Sequence, residues 1–298
     1  VPRVIDSHVH LYPPEVNRDP AGWAAAHGEP HWATLCTRRR KDGTPVQGFP
    51  SVDALLAEMD RSGVERAVLL GWYWSRAENC AAQNRFFAEC VRAHPDRLSA
   101  FATGQPAAGG AAAAVAEMRR AQGEGLVGLG ELSPHAQGYR TDGAEFAAVL
   151  AEAAALNWPV NLHVTDGRGL TYPGRIETPR ADFVRLAADW PTVTFILAHW
   201  GGGEVLAGER GEVFENVRYD TAASPLLYGA EIWRRFVLEA GAGNVLFGSD
   251  YPLNNYPTAE AGPEMSRFLA AVRGADLDDE ARGAILAENA QRLFGRGV

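Results

Sequence analysis

His8 and His10 lie in the run Val4-Ile5-Asp6-Ser7-His8-Val9-His10-Leu11, whose apolar residues read as a β-strand. Side chains two apart on a strand face the same side. Both imidazoles therefore project together and can share one cation. Glu131, His163, His199 and Asp250 stand at the carboxyl ends of later apolar runs. Imidazole and carboxylate donors suit zinc, manganese or iron(II), with zinc the default. A catalytic zinc keeps one position open and lowers the pKa of its bound water from about 16 to about 7. His199, where it is not itself a ligand, is placed to move a proton or to steady developing negative charge.

Each residue alone has a plainer reading. A lone histidine is commonly a hydrogen-bonded core residue, and Glu131 could simply pair with an arginine. Asp250 could brace the turn before Pro252, and His199 could orient Gly201-Gly202-Gly203. Recurrence at equivalent strand ends carries the argument, not any single side chain. His135 is a weaker candidate for the same region, and Asp6 is expected to point away from the histidine pair.

The elements that must position these groups follow from the apolar pattern. Strands are predicted over 4–11, 66–72, 98–103, 126–131, 159–164, 193–199, 217–221 and 244–250. Helices are predicted over 52–62, with Ser51 as cap and Gly63 as stop, and over 78–94, 110–122, 144–157, 179–190, 228–240, 263–272 and 279–294. The segment 201–212 reads at most as a short helix. Near-continuous apolar strands alternating with helices imply a parallel sheet covered on both faces. Eight β-α units in this length predict an α/β fold, a (β/α)8 TIM barrel with its site at the C-terminal mouth. An open doubly wound sheet is the rival, but the turn after the first strand holds Pro13-Pro14 and not a glycine-rich loop. One domain over 1–298 is expected, with a long loop insertion at about 12–50. That insertion lacks clear periodicity and reads as a lid or a solvated excursion.

The chain has 298 residues and a formal charge of -9. An acidic balance argues against nucleic-acid binding, which needs a basic face. Lys41 is the one lysine, which excludes a carbamylated lysine at the fourth strand. Cys36, Cys80 and Cys90 are odd in number and lack metal-type spacing, so a reduced, cytoplasmic protein is expected. No apolar run is long enough to span a bilayer, so no membrane partner is expected. No basic-apolar leader opens the chain, although a start at Val1 is compatible with a trimmed one.

These residues resemble the amidohydrolase superfamily. More narrowly, they resemble the amidohydrolase-related family that includes aminocarboxymuconate-semialdehyde decarboxylase. The matching stretches are Asp6-Ser7-His8-Val9-His10-Leu11-Tyr12-Pro13, Asn161-Leu162-His163, Ala198-His199-Trp200-Gly201-Gly202, Phe247-Gly248-Ser249-Asp250-Tyr251-Pro252 and the closing 285–294 helix. The resemblance implies a distorted TIM barrel in which His8, His10, His163 and Asp250 hold one metal. Asp250 would also accept a proton from the attacking water, and His199 would be the catalytic histidine. Gly128-Leu129-Gly130-Glu131 resembles the glutamate stretch of two-metal relatives, in which Glu131 would bridge and His163 and His199 would hold a second ion. One or two ions per chain are thus implied, and members are often homodimers.

The leading expectation is a metal-dependent hydrolase attacking an ester, lactone or amide carbonyl. The alternative is a nonoxidative decarboxylase in which His199 or Asp250 handles a proton. A metal-binding scaffold without turnover is the third reading, and nothing in the core set is missing to favour it. Trp72, Arg76, Arg168 and Tyr172 would line the substrate side and, with Arg175 and Trp200, tilt towards a small acidic organic molecule.

Overall fold

The computed structural model describes residues 3–167, 169, 171–224, 228–254 and 263–295. Among these residues eight strands run in chain order: β1 (Ile5–His10), β2 (Arg66–Leu70), β3 (Leu98–Ala100), β4 (Leu129–Leu132), β5 (Val160–Leu162), β6 (Phe195–Leu197), β7 (Val217–Asp220) and β8 (Val245–Leu246). They pair in parallel, as β1-β2-β3 and as β4-β5-β6-β7-β8. Backbone contacts cross both seams. Ala102 bridges Leu129, with Ala102 N–H donating to Gly128 at 2.8 Å and Gly130 N–H to Ala102 at 2.7 Å. Val9 bridges Tyr251, with Ser7 N–H donating to Phe247 at 2.8 Å and His10 N–H to Tyr251 at 2.7 Å. The architecture is the expected TIM barrel. Its strands are shorter than the apolar runs, because several runs continue into the loops that build the mouth.

Two pairings slip register, between Asp6 and Val9 and between Leu129 and Leu132. Such irregularities re-aim side chains beside functional sites. Here they flank His8 and Glu131.

The helix Val52–Ser62 keeps its expected bounds. Ser51 accepts the Ala54 N–H, and Gly63 closes the helix at φ 76°. The last predicted helix divides into Asp279–Gly283, a π-helical turn Ala284–Glu288, and Asn289–Phe294.

The opening segment is not the irregular loop its composition suggests. It carries three short helices, Pro14–Arg18, Pro20–His27 and Pro30–Cys36, each beginning with proline. Proline at the first helical position loses no hydrogen bond and presets φ. Helices this short are invisible to a periodicity window. They bury Val16, Ala24, Trp32 and Cys36 against Tyr12, Trp72, Tyr73 and Trp74. The buried Glu29 accepts N–H groups from Ser75, Arg76 and Asn79, which ties the segment to the loop after β2. The segment is therefore a packed cover beside the mouth. Cys36, Cys80 and Cys90 are free and buried. Among the described residues no helix is long and apolar enough to cross a membrane.

After β6 the chain does not continue as an ordinary helix. His199, Trp200, Gly201 and Gly202 all take left-handed backbone angles, with φ between 56° and 73°. Left-handed backbone is disfavoured by roughly 1–2 kcal/mol for each residue bearing a Cβ, so glycines must carry part of the turn. A Cβ on Gly201 would sit 2.9 Å from the Tyr219 ring. Gly201→Ala is expected to destabilise the fold by roughly 2–4 kcal/mol through strain and overpacking. Denaturant unfolding checks this; a change below about 0.5 kcal/mol would show that the turn does not need glycine there.

Candidate metal centre

The mouth gathers residues from β1, β4, the loops after β5 and β6, and the turn after β8. His8 Nε2 and His10 Nε2 lie 3.2 Å apart. Their opposite nitrogens are committed outward. His8 Nδ1 donates to Asp220 Oδ2 at 2.9 Å, and His10 Nδ1 donates to the Leu70 carbonyl at 3.1 Å. Both Nε2 atoms therefore face the barrel axis. Asp250 Oδ1 lies 3.7 Å from His8 Nε2 and 3.6 Å from His10 Nε2.

Glu131 divides its two oxygens between two groups of histidines. Oε2 lies 3.6 Å from His10 Nε2. Oε1 lies 3.0 Å from His163 Nδ1 and 3.8 Å from His199 Nε2. His8, His10 and Glu131 form one set with the spacing a metal ion needs, and Glu131, His163 and His199 form another. His199 donates Nδ1–H to the Ala222 carbonyl at 3.2 Å, which leaves Nε2 to face Glu131. The donor set fits a divalent cation: nitrogen lone pairs and carboxylate oxygens converge, and hydrogen bonds behind them fix the imidazoles.

In the metal-free chain the histidines differ in charge. Burial pulls His10 and His199 down to about 4, so both are neutral and can offer a lone pair. Burial also disfavours charge on His8, but Asp220, with help from Glu131 and Asp250, carries it up to about 10. Glu131 is buried, yet His163, His8 and His10 hold it well below the usual carboxylate range. Burial pushes Asp250 up to about 7 against the pull of His8.

These shifts set a pH dependence for the metal-free chain. Below pH 7 the raised acids and the lowered histidines oppose one another. Between about pH 7 and 8.5, below the cysteine range, His8 supplies most of the slope, and the end of the Asp250 titration adds to it in the same direction. A base with a raised folded pKa stabilises fully below its unfolded value near 6.5 and loses that contribution as pH rises through about 10. Urea unfolding of the stripped protein is expected to lose about 2 kcal/mol between pH 7 and 8.5. A bound metal takes the place of that proton and should remove the slope. Equal slopes with and without metal would contradict it.

The other candidates divide. Trp72 is buried, with its ring 5.5 Å from that of His10 and stacked on Tyr73. Tyr172 is half-buried beneath the Arg38 guanidinium at 5.4 Å. Burial raises its hydroxyl pKa, Arg175 and Arg38 lower it, and Asp250 and Glu131 raise it further, which places it beside the mouth. Arg76 is exposed, with its guanidinium against Gly28. Arg168 lies outside the described residues. His135 is not brought to the site: it pairs with Asp182 at 2.9 Å, against the Phe183 ring. Asp6 turns away as expected, accepting the backbone N–H of His8 and of Ser249.

Three contributors escape sequence reasoning. Asp220 ends β7, the same kind of position that singles out Glu131 and Asp250, but the run Val217-Arg218-Tyr219-Asp220-Thr221 alternates with polar residues, so Asp220 reads as one more polar strand position. Asn161 donates to Asp220 at 3.0 Å. Tyr73 packs its ring 5.4 Å from that of His163.

The amidohydrolase family profile matches residues 5–296. The chain belongs to the amidohydrolase family. No curated protein matches the sequence. Among solved structures it resembles 5-carboxyvanillate decarboxylase from Sphingomonas paucimobilis, with a TM-score of 0.74, 18% identity and 99% of each chain covered. It also resembles dihydroxybenzoic acid decarboxylase from Polaromonas sp. JS666, solved with manganese and 2-nitroresorcinol, with a TM-score of 0.69, 19% identity, and 99% of this chain and 97% of that one covered. A probable 2-pyrone-4,6-dicarboxylic acid hydrolase from Acinetobacter baumannii, with citric acid bound, gives a TM-score of 0.62 at 16% identity, covering 98% of this chain and 99% of that one. At these identities the likeness establishes the amidohydrolase barrel, end to end, and nothing finer.

Proposed function

We propose that this amidohydrolase is a metal-dependent hydrolase of an ester, lactone or amide in a small acidic organic molecule. One observation carries the reading: Glu131 turns one oxygen to His10 at 3.6 Å and the other to His163 at 3.0 Å. A carboxylate shared in this way suits a bridge between two ions. In this reading His8, His10 and Asp250 would hold the first ion, and His163 and His199 the second. Zinc is the default for such donors, and manganese is the ion in the Polaromonas structure.

Divalent ions here would acidify water and polarise the scissile carbonyl. The chain's own residues do the rest. Asp250 Oδ1 lies 3.7 Å from His8 Nε2 and 3.6 Å from His10 Nε2, where its carboxylate can take a proton from attacking water and return it to the leaving group. Water adds to the carbonyl carbon and the bond to the leaving oxygen or nitrogen breaks. Trp72 and Tyr73 wall the histidines and limit bulk water. Arg38, whose guanidinium lies over the Tyr172 ring at 5.4 Å, would supply positive charge for a substrate carboxylate, while Arg175 is paired with Glu177. A cytoplasmic homodimer acting on a free small molecule accords with this reading, and the unpaired buried cysteines fit that compartment.

A second reading, nonoxidative decarboxylation, is favoured by the two decarboxylase structures that share the whole barrel. It uses one ion on His8, His10, His163 and Asp250 and leaves His199 to carry a proton. Against it, His199 lies at about 4 and commits Nδ1–H to Ala222, which suits a lone-pair donor better. Product analysis separates the two. The protein is offered 2-pyrone-4,6-dicarboxylate and 5-carboxyvanillate, before and after chelation. Ring opening to a new acid without carbon dioxide supports hydrolysis, and carbon dioxide release supports decarboxylation. Full turnover after chelation would overturn both.

A further inference from the structure

We propose that Asp220 is the positioning residue that joins the two halves of the metal centre, holding His8 in its ligating orientation and His199 in its left-handed turn. Its carboxylate is fully buried and accepts four hydrogen bonds. Oδ2 receives His8 Nδ1–H at 2.9 Å and Asn161 Nδ2–H at 3.0 Å. Oδ1 receives the backbone N–H of His199 at 3.1 Å and of Ala222 at 3.1 Å. One oxygen thus serves the side chain of His8, and the other serves the backbone that carries His199.

Two consequences follow. An acceptor at His8 Nδ1 keeps that nitrogen protonated, so Nε2 is the nitrogen free for a metal. On the other side, His199 has φ 56°, a backbone conformation that a residue with a Cβ adopts only where its surroundings compensate. The bond to Asp220 Oδ1 is such a compensation, and the His199 Nδ1–H bond to Ala222 keeps the ring aimed inward. Asp6 is equally buried but lacks this connection. Its bonds go to the backbone of His8 and Ser249, and Oδ2 has no partner.

An asparagine at 220 has the same shape but one acceptor fewer. If its oxygen keeps the two backbone N–H groups, its amide nitrogen faces His8 Nδ1 and Asn161 Nδ2 and cannot accept from either. His8 then either loses a partner or shifts its proton to Nε2, the atom needed by the metal.

The inference rests on His8 being a metal ligand, and the test separates the two claims. Zinc affinity is measured by competition with a chromophoric chelator, for wild type, Asp220→Asn and Glu29→Gln. Glu29 is a buried carboxylate outside the barrel mouth, so its variant reports the general effect of losing buried charge. Asp220→Asn should weaken zinc by about 10–100-fold, and Glu29→Gln by less than about threefold. In parallel, the zinc-loaded wild type should show a slowly exchanging Nδ1–H proton resonance from His8, coupled to its own nitrogen, that Asp220→Asn loses. Zinc affinity unchanged in a folded Asp220→Asn protein overturns the inference and leaves the proposed function standing. A wild-type protein that binds no zinc or manganese overturns the function reading itself. Should Asp220→Asn not fold, a zinc-loaded wild type without that His8 resonance overturns the inference alone.

Discussion

Asp250→Asn is expected to lower turnover by about 10²–10⁴-fold while leaving the fold intact. Asparagine keeps the shape that follows the left-handed backbone at φ 65° and preserves the Asp250 N–H bond to the His8 carbonyl at 3.0 Å. It removes the one carboxylate that lies within 3.7 Å of both Nε2 atoms. The amide cannot take a proton from water, so the loss falls on kcat more than on KM. Lactone hydrolysis with metal content measured on the same samples checks this. Turnover within threefold of wild type, at full metal occupancy, would remove Asp250 from the chemistry.

His199→Asn has the second large effect, and its metal count distinguishes the two reactions. If His199 holds the second ion with His163 and Glu131, the variant should retain about one ion per chain where wild type holds about two. Turnover should fall by about 10³-fold or more, because the carbonyl loses its polarising ion. If His199 is instead a free proton carrier, the metal count stays at that of wild type and only turnover falls. Unchanged turnover would reduce His199 to a packing residue, at odds with its Nε2 facing Glu131 at 3.8 Å.

What was readable in the sequence follows from the range of each interaction. The pairing of His8 and His10 is local, a matter of strand periodicity, and so is the helix from Ser51 to Gly63. Glu131, His163, His199 and Asp250 were legible because a barrel brings strand ends together, so position along an apolar run stands in for position in space. Asp220 was not, since its partner His8 is 212 residues away and the neighbouring Arg218 and Thr221 make it look like an ordinary polar strand residue. The left-handed turn at His199 was hidden as well. Three glycines permit it, and the side chains that crowd a Cβ there, Tyr219 at Gly201, Val164 at Gly202 and Tyr228 at Gly203, are visible only in the fold. His135 misled because a histidine soon after β4 looks like a mouth residue until Asp182 is seen to take it. The opening segment misled in the other direction: proline-led helices of five to eight residues, shorter than the window a periodicity needs, read as loop.

The central claim is that Glu131 bridges two ions in the mouth of this amidohydrolase barrel. Metal content per chain tests it most directly, by elemental analysis of protein purified without added metal or chelator and then titrated back with zinc and manganese. The account predicts about two tightly held ions per chain, with the second lost in His199→Asn. About one ion per chain, unchanged in that variant, would contradict the bridge and move the reaction to decarboxylation; none at any metal concentration would contradict the metal centre altogether.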